Sequence, residues 1–245
     1  MSEHIVTSFD EELNGLSQKI AEMGGLAEES VADSVAALVR RDIQLAQRVI
    51  TTDVRIDALQ QELEESAILM IAKRQPLAGD LREIMAAIHI ANDLERVGDL
   101  AKNTAKRVIA IESNFGSQRL VAGVEHMAEL SLTQLKEILD AFAGRDLAAA
   151  HSVWEHDTEI DAMYTSLFRE LLTYMMEDPR NITFCTHLLF CAKNIERIGD
   201  HATNIAENLH LPHHGHDTSR QAPEAGHLKP DVSGVQRSLS TESRA

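Results

Sequence analysis

Two stretches of this chain occur twice, in the same order. DVRIDALQQEL at 53–63 returns as DTEIDAMYTSL at 157–167, an offset of 104 residues. NDLERVGDLAKNTA at 92–105 returns as KNIERIGDHATNIA at 193–206, an offset of 101, with seven identities in fourteen positions. A repeat of this length is a supersecondary unit copied in tandem, and each copy must fold to the same plan. The plan is helical. Only Pro76 and Pro179 interrupt the first 211 residues, and the long proline-free stretches between them are rich in Ala, Leu, Glu, Gln and Arg. Six helices are predicted near 8–40, 43–74, 77–112, 117–143, 147–176 and 180–210. Asp42 and Asp146 are placed as N-caps after short breaks, and Pro76 and Pro179 at first turns that tolerate proline. The fold class is therefore all-α, as two tandem three-helix bundles over residues 8–113 and 117–211. Asn114-Phe-Gly116 separates the third helix from the fourth.

Composition agrees with helix packing. Hydrophobic residues make up 44% of the chain but aromatics only 4%, so Ala, Leu, Ile and Val must fill the core, which a β-sandwich does not favour. The net charge of −16, from 23 basic and 39 acidic side chains, argues against a nucleic-acid partner, which needs a basic face. The longest apolar runs are short: Ala67–Ala72 has six residues, and Val35–Val39 has five. A membrane span needs about 20, so no direct membrane insertion is expected. The polar, acidic start MSEHIVTSFDEEL has no signal-peptide pattern, and the chain is expected to be cytoplasmic. Cys185 and Cys191 are six apart, which on a helix turns them away from each other, so they read as buried free thiols. The segment 212–245 is rich in Gly, Pro, Ser and His and is expected to be a disordered tail. Its His213, His214 and His216 read as solvated rather than as a metal site.

Each repeat carries two acid-x-x-x-acid pairs: Asp53/Asp57 and Glu95/Asp99 in the first, Asp157/Asp161 and Glu196/Asp200 in the second. A spacing of four puts each pair on one helix face. Counting from the hairpin gives their height. Asp57 and Asp53 lie 19 and 23 residues before Pro76, and Glu95 and Asp99 lie 19 and 23 after it. In the second half the distances are 18 and 22 before Pro179, then 17 and 21 after it. Equal distances in an antiparallel pair mean equal height, so four carboxylates are expected in one layer, twice. Crowded carboxylates repel by about 1 kcal/mol per pair at 4 Å in water and about 4 at an effective dielectric near 20. Either a cation offsets this, or the acids form a solvated stripe paired with Arg96 and Arg197. Oxygen-only donors favour hard ions such as Mg²⁺, Mn²⁺, Ca²⁺ or iron. Asn103 and Asn204 continue the same faces as further candidate donors. Gly98 and Gly199, mid-helix in both copies at about 1 kcal/mol each, suggest a close approach to the helix, with tight helix packing as the plainer reading. Gly24-Gly25 reads as a kink.

The motifs IAKRQPLAGDLREIM at 71–85, LERVGDLAKN at 94–103, LLTYMMEDPRNI at 171–182 and LFCAKNIERIGDHATNI at 189–205, with EMGGL and QRVITTDVRID, resemble the PhoU family of bacterial phosphate-signalling regulators over residues 9–210. The resemblance implies two tandem three-helix bundles. It also implies metal binding at the E(D)-x-x-x-D motifs, which match the four acid pairs above, with iron, zinc, magnesium or manganese as the metal. The implied role is cytoplasmic and non-enzymatic. Such proteins link the Pst phosphate-importing ABC transporter, through its ATPase subunit PstB, to a PhoR-type sensor histidine kinase. They hold the phosphate-starvation response off and limit uptake, commonly as homodimers.

Two other functions compete. A di-iron carboxylate oxidoreductase would need Glu-x-x-His, but Gly98 and Gly199 stand where the His would be. A metal-free helical scaffold is the other. No nucleophile elbow or phosphate-binding glycine loop is present, and no catalytic residue is assigned. The histidines share no spacing, although His201 beside Asp200 is placed near the second site.

Overall fold

The computed structural model describes residues 2–111, 118–144, 146, 148–150 and 157–210, with side chains from Phe9 onward except those of Asp157 and His210. Helices α1 (Ser2–Arg40), α2 (Ile43–Arg74) and α3 (Ala78–Ala110) form the first repeat. Helices α4 (Gln118–Gly144), α5 (Asp157–Glu177) and α6 (Ile182–His210), with a 3-10 turn at Pro179–Asn181 before α6, belong to the second. Among the described residues there is no strand. Helix α1 begins at Ser2, ahead of the predicted start at 8, because neither Gly nor Pro interrupts that stretch. Its 39 residues span about 58 Å.

The breaks are chemical. Arg41 turns the chain with a left-handed φ of 58°. Asp42 then caps α2, its carboxylate accepting from the Leu45 N–H at 2.9 Å. Asp146 accepts in the same way from the N–H groups of Ala148 and Ala149 at 3.0 and 3.1 Å, so both predicted N-caps stand. At the end of α2, Gln75 adopts φ 48° and its N–H donates to the Ile71 carbonyl. Pro76 lies in the connection, not in the first turn, since Leu77 occupies the extended N-cap position of α3. A proline disfavours helical geometry in the residue before it, which places the turn at Gln75. Pro179 does open its turn, capped by Asp178, whose carboxylate accepts from the Arg180 N–H at 3.0 Å. The segments 112–117 and 212–245, which hold the predicted inter-repeat break and the tail, lie outside the described residues.

Helix α3 packs against α1, α2 and α6, while α6 also packs on α4 and α5 and α1 touches α4. Large side chains such as Ile20, Met23, Ile56, Leu63, Leu94 and Met127 are fully enclosed between them. The repeat extends into the core. Ala91, Ala101 and Ala105 on α3 are buried, and so are their counterparts Ala192, Ala202 and Ala206 on α6. Gly24, read from the sequence as part of a kink, has a packing role. A Cβ there would stand 2.6 Å from Leu139 Cδ2, so this glycine is where α1 and α4 approach closely.

A polar seam joins α3 to α6. Asp93 Oδ1 lies 2.9 Å from His201 Nδ1, and the Asn208 amide donates to Asp93 Oδ2 at 3.3 Å. Farther along, the Asn194 amide donates to Thr104 Oγ1 at 3.2 Å. Asp93 precedes Thr104 on α3 while its partners His201 and Asn208 follow Asn194 on α6, so the two helices run antiparallel. The pairs Glu95/Asp99 and Glu196/Asp200 fall between these contacts and share a height in the molecule.

Candidate metal centre

In the first repeat α2 supplies Asp53 and Asp57, and α3 supplies Glu95 and Asp99. Burial, then the charge of Asp53, with a smaller push from Asp99, raises the Asp57 carboxyl above its ordinary value against the pull of Lys102. Glu95 is raised by burial, then by Asp99, and further by Asp57 and Asp53, against the nearby Arg96. The acids of the two helices thus act on one another; turn counting predicted their shared height, and the rotation that brings them together is a finding of the structure. Arg96 stands at the rim, 3.5 Å from Glu95 Oε2 and 3.6 Å from Asp99 Oδ2. Asn103, the candidate fifth donor, is exposed.

The closest cation is one that spacing did not single out. The Lys102 ammonium is paired with Asp53 Oδ2 and lies 2.5 Å from Asp99 Oδ1, bridging α2 and α3. Burial works against its charge, but the bonds to Asp53 and Asp99 outweigh that and raise its pKa well above the usual lysine value. Asp53 is 4% exposed, and its other oxygen, Oδ1, is buried without a hydrogen-bond partner. A buried acceptor left unpaired costs about 1–3 kcal/mol. That oxygen lies against Gly98, where a Cβ would stand 3.6 Å from Oδ1 and 2.8 Å from Ile56 Cδ1. The mid-helix glycine thus makes room for α2 and for the Asp53 carboxylate.

The second layer is more open. Its exception is Glu196, whose side chain is only 12% exposed, whereas Asp161, Asp200 and Asn204 are exposed. The Glu196 carboxyl is raised by burial, lowered in part by Lys193, and raised again by Asp200 and Asp161, so these three acids are brought together. Asp157 opens α5, and its side chain lies outside the described residues. Lys193 pairs with Glu196 Oε2 and stands 5.3 Å above the Tyr164 ring. His201, placed near this layer by its sequence position, turns instead to Asp93 in the seam.

Carboxylate oxygens alone suit a hard cation, and the orphaned Asp53 Oδ1 is an unused donor buried beside Gly98, which lies between Glu95 and Asp99 on α3. Among the described residues, however, no three His, Cys, Asp or Glu side chains converge tightly enough to hold one ion as they stand. The residues fit such a group in chemistry, with Lys102 and Lys193 now supplying the positive charge. Both lysines had a signal in the sequence, three residues from an acid on the same helix. The seam had none, since its partners lie about a hundred residues apart in the chain.

Fold and site together define a class: a tandem pair of three-helix bundles, each with an acidic layer between its second and third helices. The PhoU domain family matches residues 20–108 and 124–209, one match in each repeat. The chain belongs to the PhoU family. It is 62% identical over 221 residues to the phosphate-specific transport system accessory protein PhoU homolog of Rhizobium meliloti, covering 90% of this chain and 93% of that protein. It is 50% identical over 224 residues to the homolog of Caulobacter vibrioides, covering 91% of this chain and 97% of that one. The crystal structure of PhoU from Pseudomonas aeruginosa superposes with a TM-score of 0.80 at 38% identity, over 83% of this chain and 98% of that one. The phosphate transport system regulatory protein PhoU from Streptococcus pneumoniae gives a TM-score of 0.78 at 30% identity, over 85% and 98%.

Proposed function

We propose that this chain is a cytoplasmic, non-enzymatic regulator of a phosphate-specific transport system. It represses the phosphate-starvation response and limits phosphate uptake when phosphate is plentiful. It does so as a metal-binding adaptor between the transporter ATPase subunit PstB and a PhoR-type sensor histidine kinase, and it works as a homodimer. The observation that carries the regulatory reading is the 62% identity, over 93% of its length, to a protein named as an accessory of phosphate-specific transport. The absence of a span long and apolar enough to cross a membrane among the described residues is consistent with an accessory that meets its transporter from outside the bilayer. The metal reading rests on the unpaired Asp53 oxygen inside a four-acid layer.

When bound, a hard cation would supply the charge that holds the facing acids of two helices together. Asp53, Asp57, Glu95 and Asp99 would hold it in the first layer, and Asp161, Glu196 and Asp200, with Asp157, in the second. A metal-free scaffold is the second reading, and the placement of Lys102 and Lys193 favours it. Elemental analysis of protein purified without chelator separates the two, since a scaffold carries no stoichiometric metal. The regulatory reading is tested with a starvation-promoter reporter in a strain lacking its own copy of the gene. Asp161→Asn with Asp200→Asn, both at exposed positions, is expected to leave the protein folded and abundant while repression at high phosphate weakens. Full repression by a soluble, metal-free double variant would move the regulatory surface away from the acids. Failure of the unaltered chain to repress at all would remove the reading itself.

A further inference from the structure

We propose that Lys102 is a built-in competitor for the first carboxylate layer, a tethered ammonium that closes the layer across α2 and α3 and must leave before a divalent cation enters. The inference rests on the metal reading above and extends it to how the two layers differ. In the first layer the ammonium contacts an acid from each helix, Asp53 on α2 and Asp99 on α3, and its side chain is 20% exposed. In the second repeat the equivalent residue is Thr203, whose hydroxyl donates to the Asp200 carbonyl of its own helix at 2.7 Å. The lysine there, Lys193, enters from the other side of the acid pair. It forms an ion pair with Glu196 on its own helix and is 45% exposed.

The consequences follow from charge. An ammonium and a divalent ion repel if both crowd one set of carboxylates, so entry of the ion requires Lys102 to swing out. Its departure also breaks one of the polar links between the two helices. The unpaired Asp53 Oδ1, buried against Gly98, is the donor that an ion can use and the ammonium does not reach. Lys193 has no cross-helix bond of this kind to break and already has a path to water. The second layer is therefore the one that fills first, and the first layer fills only at higher cation concentration.

The test is calorimetric titration of the full chain with Mn²⁺ alone, after chelator treatment and dialysis, in a background where Asp161→Asn and Asp200→Asn disable the second layer. Replacing Lys102 by Met is expected to tighten Mn²⁺ binding by on the order of tenfold or more. It is also expected to lower the metal-free melting temperature, because four acids then face one another without their cation. Lys102→Gln keeps a donor for Asp53 and Asp99 without the charge, and is expected to tighten binding while preserving more of the fold. Lys73→Met removes one charge far from the layer and is expected to leave the affinity unchanged. Equal or weaker Mn²⁺ binding in both Lys102 variants, with the parent background still binding, would overturn the inference and spare the metal reading. Absence of Mn²⁺ binding in every form, the unaltered chain included, would overturn both.

Discussion

At the scale of single residues, burial decides which groups are chemically quiet. Cys191 is fully enclosed, and burial pushes its thiol up to about 12, with Arg107 pulling weakly the other way. Burial raises Cys185 as well. Both are free thiols, as their spacing predicted. Since the thiolate is the reactive form, neither is expected to react with an aromatic disulfide reagent at pH 8 in the native protein. Both are expected to react at once in denaturant, and rapid labelling of the folded chain would contradict this burial. His187 behaves in the opposite sense. Burial, then the charge of Arg107, lowers its imidazole below the ordinary value of 6.5, and its Nδ1 has no hydrogen-bond partner. A lowered folded value means that the unfolded chain takes up the proton first as pH falls. The contribution of His187 to stability is thus complete above about pH 6.5 and is lost as pH falls towards the folded value. Asp57, Glu95 and Glu196, raised in the fold, change in the opposite direction, so the comparison is made between variants. Urea midpoints at pH 7.5 and 5.0 are expected to fall less for His187→Gln than for the unaltered chain. Equal falls would remove His187 as a source of acid sensitivity.

At the scale of elements, the glycines separate two effects that spacing alone confounds. Gly98 and Gly25 are both mid-helix, and either gains up to about 1 kcal/mol of helix propensity on becoming Ala. At Gly25 a Cβ meets nothing within 4 Å, so Gly25→Ala is expected to raise the melting temperature. At Gly98 the new methyl would stand 2.8 Å from the Cδ1 of Ile56, a side chain with no exposed surface to retreat to. Overpacking costs about 1–3 kcal/mol, which meets or exceeds the gain, so Gly98→Ala is expected to lower stability. Thermal melts of the two variants check the signs. The same pair of elements shows what the sequence made legible. Proline positions and the tandem repeat placed the helices, and residue counts from Pro76 placed Asp57 level with Glu95, because helical rise is uniform. Rotation was not legible, since it depends on which side chains pack. That Gly98 admits Ile56, and that Gly24 admits Leu139, are facts of contact between distant segments. Lys102 was passed over for a related reason. A long flexible side chain reaches its partner across a helix interface, and only its contact with Asp99 is written in local spacing.

At the scale of the molecule, the repeats are joined by helices that carry the acids on one side and a polar seam on another. The seam departs from the repeat's symmetry. His201 replaces the buried Leu100 of the first copy, and Asn194 replaces Asp93. Its central pair is largely enclosed, each side chain being 15% exposed, so the bond between Asp93 and His201 spans the two halves where water has little access. Such a pair costs desolvation that its own bond only offsets, and removing one member leaves the other unsatisfied. His201→Leu alone is expected to cost about 1–3 kcal/mol, because Asp93 keeps only the longer bond from Asn208 among its described partners. Asp93→Leu with His201→Leu rebuilds an apolar contact in place of the pair and is expected to recover most of that loss. Because α3 touches α6 and α1 touches α4, both variants are expected to unfold in one transition followed alike by far-ultraviolet and near-ultraviolet circular dichroism. A double variant as unstable as the single one would show that the pair does more than satisfy its own polar atoms. Two separated transitions would show that the seam is what makes the repeats unfold together.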